Sequence, residues 1–423
     1  MTISKYIVVP ILTLVLLLVD WYVWQAVRIV FQDSSTQAQT AARYIFWGIT
    51  MSTLIGLWSY NFIDPEVLGV RIRTVILASL FITYCSKLFS IVFLVIDDVS
   101  RLFVWSRNKL ITEKDITETV KDAVNTITRS EFLMKTALFA AAIPAGALAW
   151  GVLSGAHDYR VRRIRLKINN LPKSFQGMTI AQISDIHTGS FFNKAAVVGG
   201  VEMLMKEKPE MVFFTGDLVN DRASEVKDYI NIFDKIKAPL GVYSTLGNHD
   251  YGVYKRFSNP QQSIDNMNDI KKAHKELGYD LLCDENRIIT LGGDKLAIIG
   301  VENISANESM FANTGSLKKA IENTDDAAVK FLLSHDPSHW DKEVNSEFKD
   351  IDVTFSGHTH GSQFGIAIGD QTYSPSQLSY KQWAGLYQKE DQQLYVNRGF
   401  GYLGYPGRVG MPPEITIFEL ASA

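Results

Sequence analysis

Seven side chains able to ligate a metal follow directly on short apolar runs in the second half of this chain. MTIAQIS leads into Asp185 and His187, MVFFTG into Asp217, and GVYSTLG into Asn248. VKFLLS leads into His335, and IDVTFSG into His358 and His360. Four imidazoles, two carboxylates and one amide oxygen form a mixed nitrogen and oxygen donor set. Such a set suits Mn²⁺, Fe or Zn²⁺ rather than Ca²⁺. Seven donors exceed what one ion with an open position needs. Two ions sharing a bridging carboxylate fit better, and paired ions clamp the attacking and leaving oxygens of an in-line phosphoryl displacement. A single histidine is ordinarily a satisfied core residue; four at successive strand ends are not explained that way.

The elements that must position these groups follow from the pattern around them. Each run has the length and apolar content of a buried strand and ends in a polar loop, where scaffolds present chemistry. Helical patterns such as KAAVVGGVEMLMKEK and NDIKKAHKELG lie between them. Strands alternating with helices indicate an α/β architecture.

The order of the motifs adds a resemblance. D-x-H at 185–187, G-D-x-x-x-D at 216–221, G-N-H-D at 247–250, a histidine at 335 and G-H-T-H at 357–360 resemble the calcineurin-like metallophosphoesterase family. ISDIHTGS, LSHDP at 333–337, GHTHGSQ at 357–363 and the tail NRGFGYLGYPGRVGMPPEITIFEL are similar to its membrane-associated YkuE/YaeI/LpxG-like branch. The match covers about residues 175–420. It implies a four-layer αββα sandwich with two divalent ions, manganese first and Fe or Zn as alternatives. Asp185, His187 and His360 would hold the first ion. Asn248, His335 and His358 would hold the second, with Asp217 bridging both. His249 would protonate the leaving oxygen and Asp250 would orient its imidazole. Asp221 would support a loop. Arg222 departs by one residue from the G-D-x-V-D-R-G pattern of the protein-phosphatase branch, so that role is not carried over.

The implied activity is hydrolysis of a phosphodiester or pyrophosphate bond by metal-activated hydroxide. A substrate linked to lipid would suit a domain tethered to a bilayer. Alternatives are a UDP-2,3-diacylglucosamine pyrophosphatase of lipid A synthesis and a non-catalytic metal-dependent scaffold or sensor. A transporter with an accessory domain is disfavoured by the small number of apolar segments. Among the remaining candidates, Arg408 could reach a substrate phosphate. Tyr251, Tyr254, Phe257, Trp383 and Tyr387 are expected in loops flanking the site, either meeting acyl chains or packing the loops. His339 reads as structural, and His157 and His274 as solvated. No P-loop or dinucleotide fingerprint occurs.

The first half of the chain has a different character. The 423 residues are 47% hydrophobic and 21% charged, with a net charge of −3, which leaves no basic footprint for nucleic acid. Two cysteines cannot build a disulfide framework or a zinc cluster. Apolar stretches lie near Tyr6–Trp24, Tyr44–Phe62, Val75–Ile96 and Phe132–Leu153. Each approaches the roughly 20 residues that cross a hydrocarbon core. The expectation is a bundle of four transmembrane helices over residues 1–156 and a metallophosphoesterase domain over 157–423.

Asp20 and Lys87 fall inside the spans, where charges pair, snorkel or serve function. Lys135, at the start of the fourth span, can snorkel to the interface. Residues 108–131 read as an amphipathic helix. Residues 97–131 carry Arg101, Arg107, Lys109, Lys114, Lys121 and Arg129, which places them in the cytoplasm. The protein is then a multi-pass cell-membrane protein with an extracytoplasmic catalytic domain.

Overall fold

A computed structural model describes residues 5–110, 129–254, 257–311, 313–369 and 371–423. The chain divides into two compact units, residues 1–150 and 151–423. The amphipathic helix expected over 108–131 lies almost wholly outside the described residues.

Among the described residues the first unit is built on four long helices: α1 (Lys5–Val30), α2 (Thr36–Phe62), α3 (Pro65–Leu110) and α4 (Arg129–Leu153). Gly69, at φ 67°, breaks α3 near its start. Among the described residues, three segments are long and apolar enough to cross a membrane: Lys5–Val30, Val67–Arg107 and Phe132–His157. The second expected span forms a helix but is less apolar than the others. Thr50, Ser52, Thr53, Ser59 and Asn61 dilute it, and Thr53 Oγ1 and Asn61 Nδ2 bond back to the Ile49 and Leu57 carbonyls. Ile11, Leu14, Ile55, Phe103 and Phe139 face outward. Hydrocarbon covers such a surface and water does not.

Inside the bundle the two membrane charges find each other. Asp20 is fully buried and accepts from the Lys87 ammonium and, at 3.0 Å, from the Tyr84 hydroxyl. Lys87 also reaches Thr50 Oγ1 at 3.4 Å and lies 4.6 Å from the Phe46 ring centroid. The pair ties α1 to α3 with α2 alongside. Removing one partner strands the other in an apolar interior, which costs about 3–5 kcal/mol. Lys87→Met is therefore expected to lower the thermal midpoint in detergent, and adding Asp20→Leu to restore most of it. Equal midpoints for the single and double variants would show that the pair carries no such weight.

The second unit holds fourteen strands among the described residues: β1 (Arg160–Ile168), β2 (Thr179–Ile183), β3 (Met211–Thr215), β4 (Val242–Thr245), β5 (Asp280–Leu281), β6 (Glu285–Leu291), β7 (Asp294–Gly300), β8 (Val329–Leu333), β9 (Val353–Ser356), β10 (Ile366–Ile368), β11 (Gln371–Tyr373), β12 (Gly385–Lys389), β13 (Gln392–Val396) and β14 (Glu414–Ser422). One sheet has the order β1-β14-β2-β3-β4-β5 and the other β12-β13-β9-β8-β7-β6. β10 and β11 form a separate hairpin. The strands that precede the candidate ligands run parallel within each sheet: β2 with β3, β3 with β4, and β8 with β9.

The sheets pack face to face. Ile180, Met211, Phe213 and Phe418 of the first sheet share a core with Ile298, Phe331, Phe355 and Tyr395 of the second. Because side chains alternate along a strand, the neighbours Ala181, Val212 and Phe214 face the other way. There they meet Val197, Val201 and Leu204 of helix α5 (Lys194–Lys206) and, past the single turn α6 (Ile230–Phe233), Ile270 and Leu277 of α7 (Pro260–Leu277). The outer face of the second sheet, with Ile299, Leu332 and Val396, is covered by Leu317, Trp340 and Val344. Burial on both faces explains why these strands read as unbroken apolar runs. The result is the four-layer sandwich expected from the sequence.

Candidate metal centre

Every candidate ligand stands at the carboxyl end of a parallel strand. Asp185 and His187 follow β2, Asp217 follows β3, and Asn248 and His249 follow β4. His335 follows β8, and His358 and His360 follow β9. Parallel strands bring those ends to one side of the sandwich.

The turns there are tight. Asp185, His187, Asp217, His358 and His360 all have φ between 51° and 72°, a left-handed region that costs a non-glycine residue about 1 kcal/mol or more. Strain held at five of seven candidate ligands marks a site whose geometry the surrounding fold over-determines. Two glycines permit the close approach: a Cβ on Gly247 would stand 2.2 Å from Asp217 Oδ1, and one on Gly357 would stand 2.3 Å from Asp185 Oδ2.

Ligand atoms of Asp185, His187 and His360 lie within 4.8 Å of one another, and so do those of Asp217, His335 and His358. Asp217 Oδ2 is 3.2 Å from His335 Nε2 and 3.5 Å from His187 Nε2, so one oxygen faces both groups. Asn248 Oδ1 completes the second group, 3.1 Å from His335 Nε2 and 2.8 Å from His358 Nδ1.

The far ring nitrogens show which atoms are offered. His187 Nδ1 is 3.2 Å from the Val219 carbonyl, and His335 Nδ1 is 2.7 Å from that of Thr215. Each carbonyl accepts an N–H from Nδ1, which turns Nε2 inward toward the other donors. His187 Nε2 and His360 Nε2 face each other at 3.1 Å. Lone pairs of nitrogen and oxygen converging without protons between them repel unless a cation lies among them. This donor set fits two divalent ions.

The two donor groups differ in protonation. Burial holds His187 down to about 3 and His360 well below its ordinary value, so both stay in the neutral, ligating form. Burial would lower His335 too, but the charge and hydrogen bond of Asp217 win and raise it to about 10. Asp217 is held well below the carboxylate range because His335, His249 and His187 together outweigh its burial. Burial pushes Asp185 up to about 6. Imidazoles and carboxylates thus compete for protons that bound cations would displace.

His249 stands beside these groups but points elsewhere. It is half-buried, its Nδ1 lies 2.7 Å from the Asn220 carbonyl, and its ring packs against that of Tyr254 with centroids 4.5 Å apart and planes tilted by 37°. Asp250 does not orient it, contrary to the sequence reading. The Asp250 carboxylate is fully buried and accepts from the backbone N–H groups of Asp217, Leu218, Val219 and Gly247 at 2.9–3.3 Å. It clamps the loops of Asp217 and Gly247 together, and the Asn220 carbonyl takes the role assigned to it.

In Asp250→Asn the amide NH₂ must face two of those donors whichever way it turns. The expected loss is about 3 kcal/mol of stability, read by thermal unfolding. Metal content should fall with it, while any leaving-group dependence stays unchanged.

Two residues absent from the sequence reading belong here. The Tyr380 hydroxyl is 2.6 Å from His358 Nε2, and Asp336 Oδ2 is 3.8 Å from the same nitrogen. The Tyr380 bond fixes the ring that turns Nδ1 inward, and the Asp336 carboxylate adds its charge nearby. Asp336 directly follows a ligand histidine, a signal available in the sequence; Tyr380 carries no such cue. A cavity of about 500 Å³ opens beside His358, walled by Phe311, Tyr380 and several serines.

Of the expected flanking aromatics, Tyr254 reaches the site and accepts from Asn248 Nδ2 at 2.7 Å. Tyr251 and Tyr387 instead brace loops through the Asn303 and Trp383 backbone amides. Arg408 is not available to a substrate. It is 1% exposed and donates to the carbonyls of Arg398, Gly401 and Met411 behind His360. His274 is fully buried rather than solvated, bonded to Ser244 Oγ at 2.9 Å, and His157 packs edge-on against Phe192. His339, buried between Ser334 and Glu343, is structural as expected.

Comparisons with known proteins agree with this geometry. Residues 4–156 match a family described as "Probable Calcineurin-like phosphoesterase, transmembrane domain", and residues 178–362 match the calcineurin-like phosphoesterase family. A Bos taurus protein named "Transmembrane protein with metallophosphoesterase domain" is 28% identical over 64% of this chain and 60% of its own length. The Danio rerio protein of the same name is 26% identical over 66% of this chain and 62% of its own. "Uncharacterized metallophosphoesterase YkuE" of Bacillus subtilis is 26% identical over 66% of this chain and 94% of its own. The chain thus spans about three-fifths of the bovine and zebrafish relatives' length. The two family matches follow one another along the chain, one over the helices and one over most of the sandwich, so the chain is similar to calcineurin-like phosphoesterases that carry a transmembrane domain.

Proposed function

We propose that this protein is a membrane-anchored phosphoesterase with a binuclear metal centre, hydrolysing a phosphodiester or pyrophosphate bond in a lipid-linked substrate. The observation that carries the reading is Asp217 Oδ2, which faces His187 and His335 from between two complete donor groups. Asp185, His187 and His360 would hold one ion, Asn248, His335 and His358 the other, and Asp217 both. The mixed nitrogen and oxygen donor set suits Mn²⁺, Fe or Zn²⁺, and the family resemblance puts Mn²⁺ first. When bound, the two ions supply Lewis acidity, neutralising phosphate charge and making water a nucleophile at neutral pH.

The chain's own groups do the rest. The Asn220 carbonyl holds the His249 proton on Nδ1, so Nε2 is the atom turned to the reacting phosphate. Protonated there, it hands its proton to the leaving oxygen. Tyr254 packs against the ring at a tilt and limits its swing. The cavity beside His358 has room for the ester group that is not transferred, and the apolar faces of Phe311 and the exposed Met310 line it.

The division into a membrane region over 1–156 and a catalytic domain over 157–423 is part of this reading, as is the multi-pass topology. If all four helices cross, the α1–α2 turn and the segment after α3 share one side. Arg28 and Arg43 flank that turn, and Arg101, Arg107 and Lys109 close α3. The positive-inside tendency puts that side in the cytoplasm and the catalytic domain outside.

The test is hydrolysis by the full-length protein in detergent with Mn²⁺. Bis-p-nitrophenyl phosphate, p-nitrophenyl phosphate, UDP-2,3-diacylglucosamine and a micelle-borne lipid phosphodiester are compared. The expected order places the lipid phosphodiester first and the monoester last. UDP-2,3-diacylglucosamine as the best substrate would make the protein a lipid A precursor pyrophosphatase with a cytoplasmic site. No turnover with two ions bound would leave a metal-dependent scaffold.

A further inference from the structure

The β10–β11 hairpin stands outside both sheets, and its surface is wrong for water. Ile366, Ile368 and, just beyond it, Leu378 are 68%, 65% and 91% exposed, and Tyr373 is exposed beside them. From Gly361 to Tyr380 the sequence holds one charged residue, Asp370. A two-stranded hairpin is marginal alone, and an apolar one needs a partner. The hairpin is nonetheless tied firmly at its base. Ser374 Oγ donates to the Gly361 carbonyl at 2.7 Å, and the Ser362 and Ser376 hydroxyls meet at 2.7 Å.

The partner is indicated by what lies behind that base. Phe364 bridges to Val409, Gly365 N donates to the Val409 carbonyl at 2.9 Å, and the rings of Phe364 and Tyr405 are 5.2 Å apart. Val409 and Tyr405 in turn pack on Gly151, where a Cβ would meet their side chains at 2.8 and 2.7 Å. Arg408 N donates to the Gly151 carbonyl at 3.2 Å. Gly151 belongs to the last turn of α4, within the apolar segment Phe132–His157 that is able to cross a membrane, and Leu153 beside it is 80% exposed. The base of the hairpin is therefore tied, through Val409 and Tyr405, to Gly151 in the last turn of an apolar helix long enough to cross a membrane.

We propose that the β10–β11 hairpin and Leu378 seat in the lipid interface, docking the second unit on the bilayer. Ile366, Ile368 and Leu378 enter the acyl boundary, and Tyr373 lies at the headgroup level, where amphipathic rings are favoured. Ser379 and Tyr380 follow Leu378 directly and line the cavity beside His358. The docked hairpin thus opens that cavity toward lipid. The docking itself stands whether or not the site is catalytic.

The experiment uses the full-length protein in phosphatidylcholine–phosphatidylglycerol nanodiscs, with Cys85 and Cys283 replaced by Ser. An environment-sensitive fluorophore is placed at Ile368→Cys or, as reference, at Thr290→Cys near the β6–β7 turn. Spin-labelled lipid is expected to quench the label at 368 several-fold more than at 290, and aqueous iodide to quench it several-fold less. Equal iodide quenching at both positions would overturn the proposal. So would protection of position 368 without lipid quenching, which would mean a protein partner or a second copy. If the cysteine-free background fails to fold, a benzophenone side chain at each position makes the same contrast. A lipid adduct at 368 and none at 290 supports the docking, and no lipid adduct at 368 refutes it.

Discussion

Asp217→Asn is expected to empty both metal positions at once and to abolish turnover. Asp217 Oδ1 accepts the His249 backbone N–H at 2.9 Å, which dictates how the new amide must lie. Its oxygen stays on that donor. Its NH₂ therefore takes the place of Oδ2, the oxygen that faces His187 and His335. Two ions then lose a shared negative ligand and meet two N–H protons instead. A loss of several kcal/mol in charge stabilisation corresponds to about 10³-fold or more in rate. Elemental analysis of the purified variant is the direct check. Retention of one ion per chain would contradict the bridging role, even if activity were lost.

His249→Ala is expected to do the reverse: keep both ions and lose rate selectively. The ring touches neither donor group through a ligating atom; its Nδ1 is occupied by the Asn220 carbonyl. General-acid help is worth about 10²–10⁴-fold when the leaving group is poor and little when it is good. The variant should therefore hydrolyse p-nitrophenyl diesters at a modestly reduced rate and alkyl diesters at a drastically reduced one. A uniform loss across leaving groups would assign His249 to substrate binding rather than to proton transfer. Loss of metal in this variant would place it among the ligands, against the geometry.

Sequence and structure contribute differently to this site. Strand runs and the candidate donors at their ends are legible because both are local. An apolar run that ends at an aspartate or histidine shows its own strand end, and the parallel order of such strands brings the ends together. The four layers followed for the same reason, since strands buried on both faces need cover on both sides. His274 was misread although its signal was present: Ile270, Ala273, His274 and Leu277 share one helical face, and all four are buried. The polarity of imidazole hid that periodicity.

Asp250 and Arg408 could not be placed by reading along the chain. A carboxylate or guanidinium next to a motif may serve whichever loop lies nearest in space, and that is a matter of tertiary packing. Asp250 sits one residue from His249, yet its oxygens meet the backbone of the loop after β3, some thirty residues away in sequence. Arg408 is held by carbonyls behind a ligand rather than in front of it. Tyr380 reaches His358 only because the segment after the hairpin folds back over the β9 loop. By itself, then, the sequence determined which atoms can bind metal and on which kind of scaffold, because donor chemistry and strand periodicity are properties of single residues and their spacing. Only the tertiary structure decided which groups support those atoms and which apolar surface is left exposed, because hydrogen-bond partnership and exposure exist only between segments brought together by folding.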